Sequence, residues 1–403
     1  MVILFTLVYF VVVGLPNANG SAVQDEAITY PIVVKMLDFD PDPHVTLGRL
    51  IIYGDYHYGY PFYLASFLVL LPMRLILGPD TIQQFALMMF LLRMFISVLP
   101  MLVAVLLLVQ MQTGFRNLWG SLGMTAFLLA VPAVLRQNIA WWHPDALAIL
   151  CVVLTIYFLN RDRLRFGRFF WLAAVTCGLA TAIKLQGVWF VLTIPAYLIA
   201  GWVQKHIQVG KVFLLGLGFT AVMAAVTVLS NPFVFYESPR QRMIEIQTYK
   251  TQELKYGYPH DDPYYYQHGP KYWEWTLSNR FGPPALLLAL LGGLVAGALW
   301  GERTFVNRLI LSWCVPLGVY LLWFVAPKPD HYMLPVLVPL FSGGLGSLGL
   351  LWDAARASER GWLRWLAWIG FGAALLALGI VLVTIYFPID RGFWLEHWLA
   401  ERG

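Results

Sequence analysis

Charge is what this 403-residue chain has least of: only 12% of it is Asp, Glu, Lys or Arg, about half the share in a soluble domain. With 59% hydrophobic residues, that deficit excludes a body surrounded by water and leaves a polytopic membrane protein. Cysteine is also sparse. Cys151, Cys177 and Cys314 each lie in an apolar run without the paired spacing of a zinc site or a disulfide framework, so they read as small core residues. No basic stretch precedes the first apolar run and no small-x-small cleavage site follows it, which argues against a signal peptide over residues 1–20. An uncleaved span is expected instead. Its roughly 15 apolar residues fall short of the ~20 that cross comfortably, so the expected start of the protein lies a few residues upstream of Met1. There is no internal repeat, no low-complexity tract and no polar stretch long enough for a soluble domain, so residues 1–403 are expected to form a single membrane domain. The net charge of +5 comes from Lys and Arg in short breaks between apolar runs, as topology signals do, and nucleic acid is not expected as a partner.

What is present is a series of apolar runs, at 1–16, 60–78, 82–111, 118–135, 144–159, 169–185, 187–203, 211–230, 281–300, 306–326, 332–351 and 363–387. Each is expected to be helical, because an isolated segment in lipid must satisfy its own backbone hydrogen bonds. If all of them crossed, the basic loop "NRDRLRFGR" (160–168) would fall on the side where positive charge is disfavoured. One run before 118 should therefore not cross. The candidate is 60–78, which is broken by Pro72 and Arg74 and rich in interfacial tyrosine: a juxtamembrane or re-entrant helix in the first outer loop. The expected fold class is thus all-α, a bundle of about eleven spans with a cytoplasmic N-terminus. One outer face then collects residues 17–80, "RQNIAWWHPD" (136–145), the Lys184 helix end, the loop 231–280, "PKPDHY" (327–332) and the C-terminal tail.

Several residues on that face could carry chemistry. Asp25 and Glu26 follow the first span closely enough to sit at the interface, where a partly desolvated acid can accept a proton; a solvated loop is the competing reading. "DFDPD" (Asp38, Asp40, Asp42) mimics a metal-binding DxD, but Pro-interrupted acidic turns are common. In "YGDYHYGYPFY" (53–63), Asp55 and His57 lie among tyrosines that suit sugar rings or lipid head groups, or form an interfacial aromatic belt. His143 and Asp145 in "WWHPD" stand at the outer start of a helix, where Asp could simply be a cap. Lys184 ends an apolar helix and should face a cavity or an anion unless it snorkels. Lys328 and His331 add a second cationic cluster. The loop 231–280 is dense in Tyr, Trp and His, and Tyr256, His260, Asp261 and His268 are candidate contacts of a lid or acceptor platform. Asn19-Gly20-Ser21 reads as a sequon in a eukaryotic secretory host.

In order and on one face, these stretches resemble the GT-C superfamily of integral membrane glycosyltransferases. The similarity is greatest to the branch of dolichyl-phosphate-mannose protein mannosyltransferases and bacterial lipid A aminoarabinose transferases. Asp25-Glu26 is similar to the family's acidic pair, "YGYPFYLASFLVLLPMRLILG" to its Pro-aromatic juxtamembrane segment and "HPDALAILCVVLTIYFLNRDR" to its external turn and helix. "GLATAIKLQGVWFVL" resembles its lysine-ending helix, and "NPFVFYES" and "PKPDHYMLPVLVPL" its later outer-face motifs. The resemblance implies a polyprenyl-phosphate-linked sugar donor, an outward-facing site in a bacterial or archaeal plasma membrane, and inversion at the anomeric carbon. It also implies Asp25 as the base with Glu26 beside it, and Lys184, Lys328 and His331 around the donor phosphate. Asp55, His57, His143, Asp145, Tyr256 and His260 would contact substrate. The acceptor could be a lipid, a glycan or a protein. The large C-terminal periplasmic domain of some relatives is not expected here, and His331 stands where relatives often carry Arg. No metal ligand set is expected, with a divalent cation left open as cofactor. The competing classes are a transporter or lipid-linked sugar flippase, which would show repeated halves and broken helices near the midplane, and a non-catalytic subunit.

Overall fold

Residues 1–18, 24–139, 141–257, 267–350 and 361–387 are described by a computed structural model. Among them there is no strand. The helices are α1 (Val2–Asn17), α2 (Gln24–Leu37), α3 (Pro43–Ile51), α4 (Tyr60–Leu77), α5 (Phe85–Thr113), α6 (Leu118–Ala130), α7 (Pro132–Asn138), α8 (Asp145–Asp162) and α9 (Arg168–Lys184). They continue with α10 (Gln186–Val203), α11 (Val209–Leu229), α12 (Glu237–Tyr256), α13 (Pro270–Arg280), α14 (Pro284–Leu299), α15 (Thr304–Phe324), α16 (Asp330–Gly346) and α17 (Gly361–Val381).

Local chemistry sets the breaks. Gly114 ends α5 in the left-handed region at φ 61°, and the Asn117 side chain caps α6 by accepting from Gly120 N at 3.1 Å. Pro132 starts α7 at a bend of 73°, and the Gly282-Pro283-Pro284 turn separates α13 from α14 by 95°. Among the described residues, seven helices are long and apolar enough to cross a membrane, or nine if each bent pair is one span. That is fewer than the eleven expected, because α1 and α9 have 16 and 17 residues and α8 carries charge at both ends.

The helix ends sort into two groups. At one end, Asn17 Nδ2 donates to Asn138 O at 2.8 Å, His143 N to Ser97 Oγ at 3.3 Å, Tyr60 N to Asn231 Oδ1 at 2.9 Å and Thr276 Oγ1 to Lys328 O at 2.8 Å. At the other, Gln112 Nε2 donates to Asn307 Oδ1 at 2.8 Å and Tyr197 Oη to Asp162 Oδ2 at 2.6 Å. Both ends of α4 belong to the first group. Its start is tied to the last turns of α9 and α11, and its far end leads directly into the start of α5. α4 is among the helices apolar enough to span. Phe62, Tyr63 and Phe67 pack inward on Trp142, Phe233 and Ile246 as a second core, while Leu68, Leu75 and Ile76 stay exposed, as a juxtamembrane helix requires.

Candidate functional site

The site is built where two antiparallel helices begin and end. Asp145 opens α8 and Lys184 closes α9, the placements that helix dipoles favour for an acid and a base. Their charges meet, with Lys184 Nζ 2.5 Å from Asp145 Oδ1. Asp145 is fully buried, so the anion that the apolar helix end of Lys184 requires is supplied from within the chain.

His143 sits beside this pair. Its Nε2 shares a 2.8 Å hydrogen bond with the Tyr58 hydroxyl, and Trp141 stacks on its ring at 4.5 Å. Its Nδ1 lies 2.6 Å from Asp145 Oδ2, a buried imidazole–carboxylate pair. His331, at the start of α16, packs 5.1 Å from His143 and 4.8 Å from Trp141 between ring centres, and its Nδ1 is buried and unbonded. One ligand atom from each of His143, Asp145 and His331 falls within 4.8 Å of the other two. With the Tyr58 bond to Nε2 turning His143 Nδ1 to Asp145, and His331 Nδ1 buried and unbonded beside them, these three residues could hold a divalent cation. Burial holds the His143 imidazole below its usual range; Asp145 and, more weakly, Asp25 pull it up, while Lys184 pushes it further down.

The two neighbouring acids of α2 have separate surroundings. Glu26 is completely buried; Arg93 reaches it with Nε at 2.9 Å and Nη2 at 2.6 Å, and Trp142 N donates to the same carboxylate at 2.6 Å. That geometry makes Glu26 a structural anchor and corrects the expectation of a second reacting acid: an oxygen pair saturated by a guanidinium and an amide has no free lone pair facing a substrate. Asp25 is half-buried, its carboxylate makes no hydrogen bond among the described residues, and its charge is felt at His143.

Lys328 is not at the cluster either. Its ammonium is buried and donates to the carbonyls of Gln267 at 2.8 Å, Val325 at 3.0 Å and Ala326, which uses all three donors; burial pushes it down to about 8. The expected phosphate contact is therefore corrected to a turn-closing role. Lys328→Met is expected to cost about 1–3 kcal/mol of stability through the carbonyls it strands; an unchanged unfolding temperature in detergent would show that the ammonium does not close this turn. Tyr256 is exposed at the end of α12, beside Lys255 rather than the cluster. His268 is exposed. His260, Asp261 and the Asn19 sequon lie outside the described residues. Asp38 and Asp40 are paired with Arg49 at 2.6 and 3.3 Å, and Asp42 caps α3, so the acidic turn is spent internally.

Asp55 and His57 pair with each other at the rim. Burial alone would raise the Asp55 carboxyl, but the His57 ring and amide more than offset it and hold it below the usual range. The link from this rim to the centre is Lys250, which sequence reading missed: it donates to His57 O at 2.8 Å, lies 4.7 Å from the Tyr58 ring centre and is pushed down to about 8 by burial and the Lys184 charge. Its signal was the helical spacing of Met243, Ile246 and Lys250 along one face of α12. Arg93, alone in a long apolar helix, was also readable as a buried charge needing a partner. Arg136 and Arg280, 3.1 and 3.7 Å from Asp330, complete the positive surround. Gly59 joins loop to bundle: its N donates to Ile183 O at 3.1 Å, and a Cβ there would fall 1.6 Å from Ala182 O, so only glycine permits the approach.

The fold and the cluster together define a polytopic helical membrane protein with a polar site at one end of the bundle. Neither protein-family models nor curated proteins match the chain, but its fold is similar to those of solved oligosaccharyltransferase and ArnT structures. The archaeal oligosaccharyltransferase AglB from Archaeoglobus fulgidus, in complex with an inhibitory peptide and a dolichol-phosphate, matches at 12% identity and a TM-score of 0.52 over 96% of this chain. ArnT from Cupriavidus metallidurans bound to undecaprenyl phosphate matches at 12% identity and 0.54 over 98%. A complex of the Archaeoglobus enzyme with Zn and sulfate matches at 13% and 0.51. The chain spans 55% of the AglB length and 75% of that of ArnT.

Proposed function

We propose that this protein transfers a sugar from a polyprenyl-phosphate-linked donor to an acceptor hydroxyl or amide at the outward face of a membrane. The observation that carries the reading is the convergence of Asp145, Lys184, His143 and His331 beside Asp25 at one end of a fold shared with proteins bound to dolichol-phosphate and undecaprenyl phosphate. In the proposed step Asp25 takes the proton of the acceptor as its heteroatom bonds the anomeric carbon from the face opposite the phosphate. The bond from that carbon to the phosphate oxygen breaks, its electron pair leaves with polyprenyl phosphate, and the anomeric centre inverts. Lys184 and Arg136 supply positive charge to the departing phosphate, and Lys250, Tyr58 and His57 line the rim where acceptor or sugar would lie. A divalent cation held by His143, Asp145 and His331 would add Lewis-acid stabilisation of the phosphate charge. That the charged groups gather at one end, rather than at the middle of broken helices, favours transfer over transport.

The test is turnover of a panel of polyprenyl-phosphate sugars by detergent-purified protein, read as released polyprenyl phosphate and as sugar on water or acceptor. Absence of release with every donor, by protein that binds them, sinks the reading. The cation is tested separately by calorimetry with Zn2+ or Mn2+. Ligation needs neutral imidazoles, and because His143 is held below its usual range it stays neutral down through pH ~6.5. Affinity is thus expected to be flat from pH 8 to about 6.5; a fall within that window, or an affinity unchanged in His331→Ala, rules the site out.

A further inference from the structure

The opposite ends of α8 and α9 hold a second constructed feature, roughly 25 Å from the cluster by helix rise. The loop between them is locked by the buried side chain of Asp162, whose Oδ2 accepts from Phe166 N at 2.8 Å and Tyr197 Oη at 2.6 Å, and whose Oδ1 accepts from Gly167 N at 2.9 Å. Arg163, Leu164 and Phe166 are held at φ 52°, 60° and 54°, a conformation side-chain-bearing residues rarely adopt. Leu164 is buried and its N donates to Tyr197 Oη at 2.8 Å.

This strained loop presents Arg161, Arg163 and Arg165 to a cavity of about 440 Å³, which Arg303 enters from the α14–α15 turn. None of the four forms a salt bridge among the described residues. Arg161 lies 5.8 Å from the centre of the Phe169 ring and Arg163 5.2 Å from that of Phe305, aromatic faces that hold guanidinium planes. Asn160, also lining the cavity, has a buried Oδ1 without a hydrogen-bond partner. Topology signalling explains the presence of positive charge at a cytoplasmic helix end. It explains neither the convergence of four guanidiniums on one half-enclosed space, which repel one another unless an anion intervenes, nor a loop strained into place by a buried carboxylate.

We propose that this cavity binds a phosphate anion carrying a hydroxyl neighbour, the chemistry of an anionic glycerophospholipid head group or of a soluble organic phosphate. The arginine forks take the phosphate oxygens and Asn160 Oδ1 accepts from the hydroxyl. The site is independent of the donor site: it rests on different residues at the other end of the bundle, and it stands even if no transferase activity is found.

Full-length protein in zwitterionic detergent is titrated with phosphatidylglycerol, phosphatidylcholine and glycerol 3-phosphate, and retained ligand is read by native mass spectrometry. Phosphatidylglycerol is expected to bind in preference to phosphatidylcholine. Arg163→Gln combined with Arg303→Gln is expected to weaken binding about 25-fold, roughly fivefold per arginine, whereas Lys211→Gln, exposed at the start of α11 and outside this cavity, changes it less than twofold. Binding of glycerol 3-phosphate that the double substitution abolishes assigns the site to a soluble phosphate; its failure to bind, with phosphatidylglycerol retained, assigns it to lipid. If the double variant does not fold, Arg303→Gln alone reads out the fivefold step. Equal retention of phosphatidylglycerol and phosphatidylcholine without glycerol 3-phosphate binding, or equal losses in Lys211→Gln and the cavity variants, overturns the proposal.

Discussion

Asp25→Asn is expected to lower turnover about 10²–10⁴-fold, the usual contribution of a positioned general base, while leaving the unfolding temperature within a degree or two. The two halves of that expectation come from the same geometry. Asp25 is half-buried and its carboxylate makes no hydrogen bond among the described residues, so an isosteric amide strands no partner and opens no cavity. What the amide cannot do is accept the acceptor's proton. The measurement is single-turnover release of polyprenyl phosphate beside a thermal unfolding curve in the same detergent. Full activity in the variant removes Asp25 from the reaction. Lost activity together with lost folding would show that the residue acts structurally.

Glu26→Gln, one residue along, is expected to do the reverse and destabilise the protein by about 3–5 kcal/mol, because a buried guanidinium that loses its countercharge keeps its full desolvation cost. Arg93 is about 1% exposed, on a helix packed against α1, α4 and α8, and cannot turn out to water. The segment 141–143 should loosen with it, since Trp142 N binds the same carboxylate and the Trp142 indole is stacked on Phe62 and bonded to Ser66. A double-mutant cycle isolates the pair: Arg93→Met in the Glu26→Gln background should recover part of the loss, because removing both charges is far less costly than removing one. Wild-type stability in Glu26→Gln would show that the pair does not hold this end of the bundle together.

Neighbouring carboxylates with opposite consequences illustrate which parts of the molecule could be read in advance. Hydropathy and charge placement carried the all-helical fold, because it follows from solvation along short stretches of chain. They also grouped Asp25, His143, Asp145, Lys184 and His331 at one end, since helix direction alone sets that. Pairings were not legible. Glu26 and Arg93, or Lys184 and Asp145, are far apart in the chain, and nothing in local periodicity says which lone charge meets which. Lys328 misled for a related reason: a lysine near a helix end looks available until the turn around it supplies three carbonyls. The cation triad was visible only as separate candidate contacts, because its three lone pairs converge through tertiary packing of α8 against α16. The arginine cavity was present in the sequence as a basic loop, but the strain that aims it comes from Asp162 and Tyr197, which resemble ordinary helix-end and core residues.

The contact at Gly59 gives the aromatic rim an unusual dependence on bulk. The stretch bearing Asp55, His57 and Tyr58 reaches the Lys184 helix through a spot where a hydrogen atom occupies the space every other amino acid fills with carbon. Contact between that stretch and the buried imidazole is thus set by size and not by polarity: a single methyl group at that position would push the loop off the helix and strain the Tyr58–His143 bond, without altering one charge in the protein.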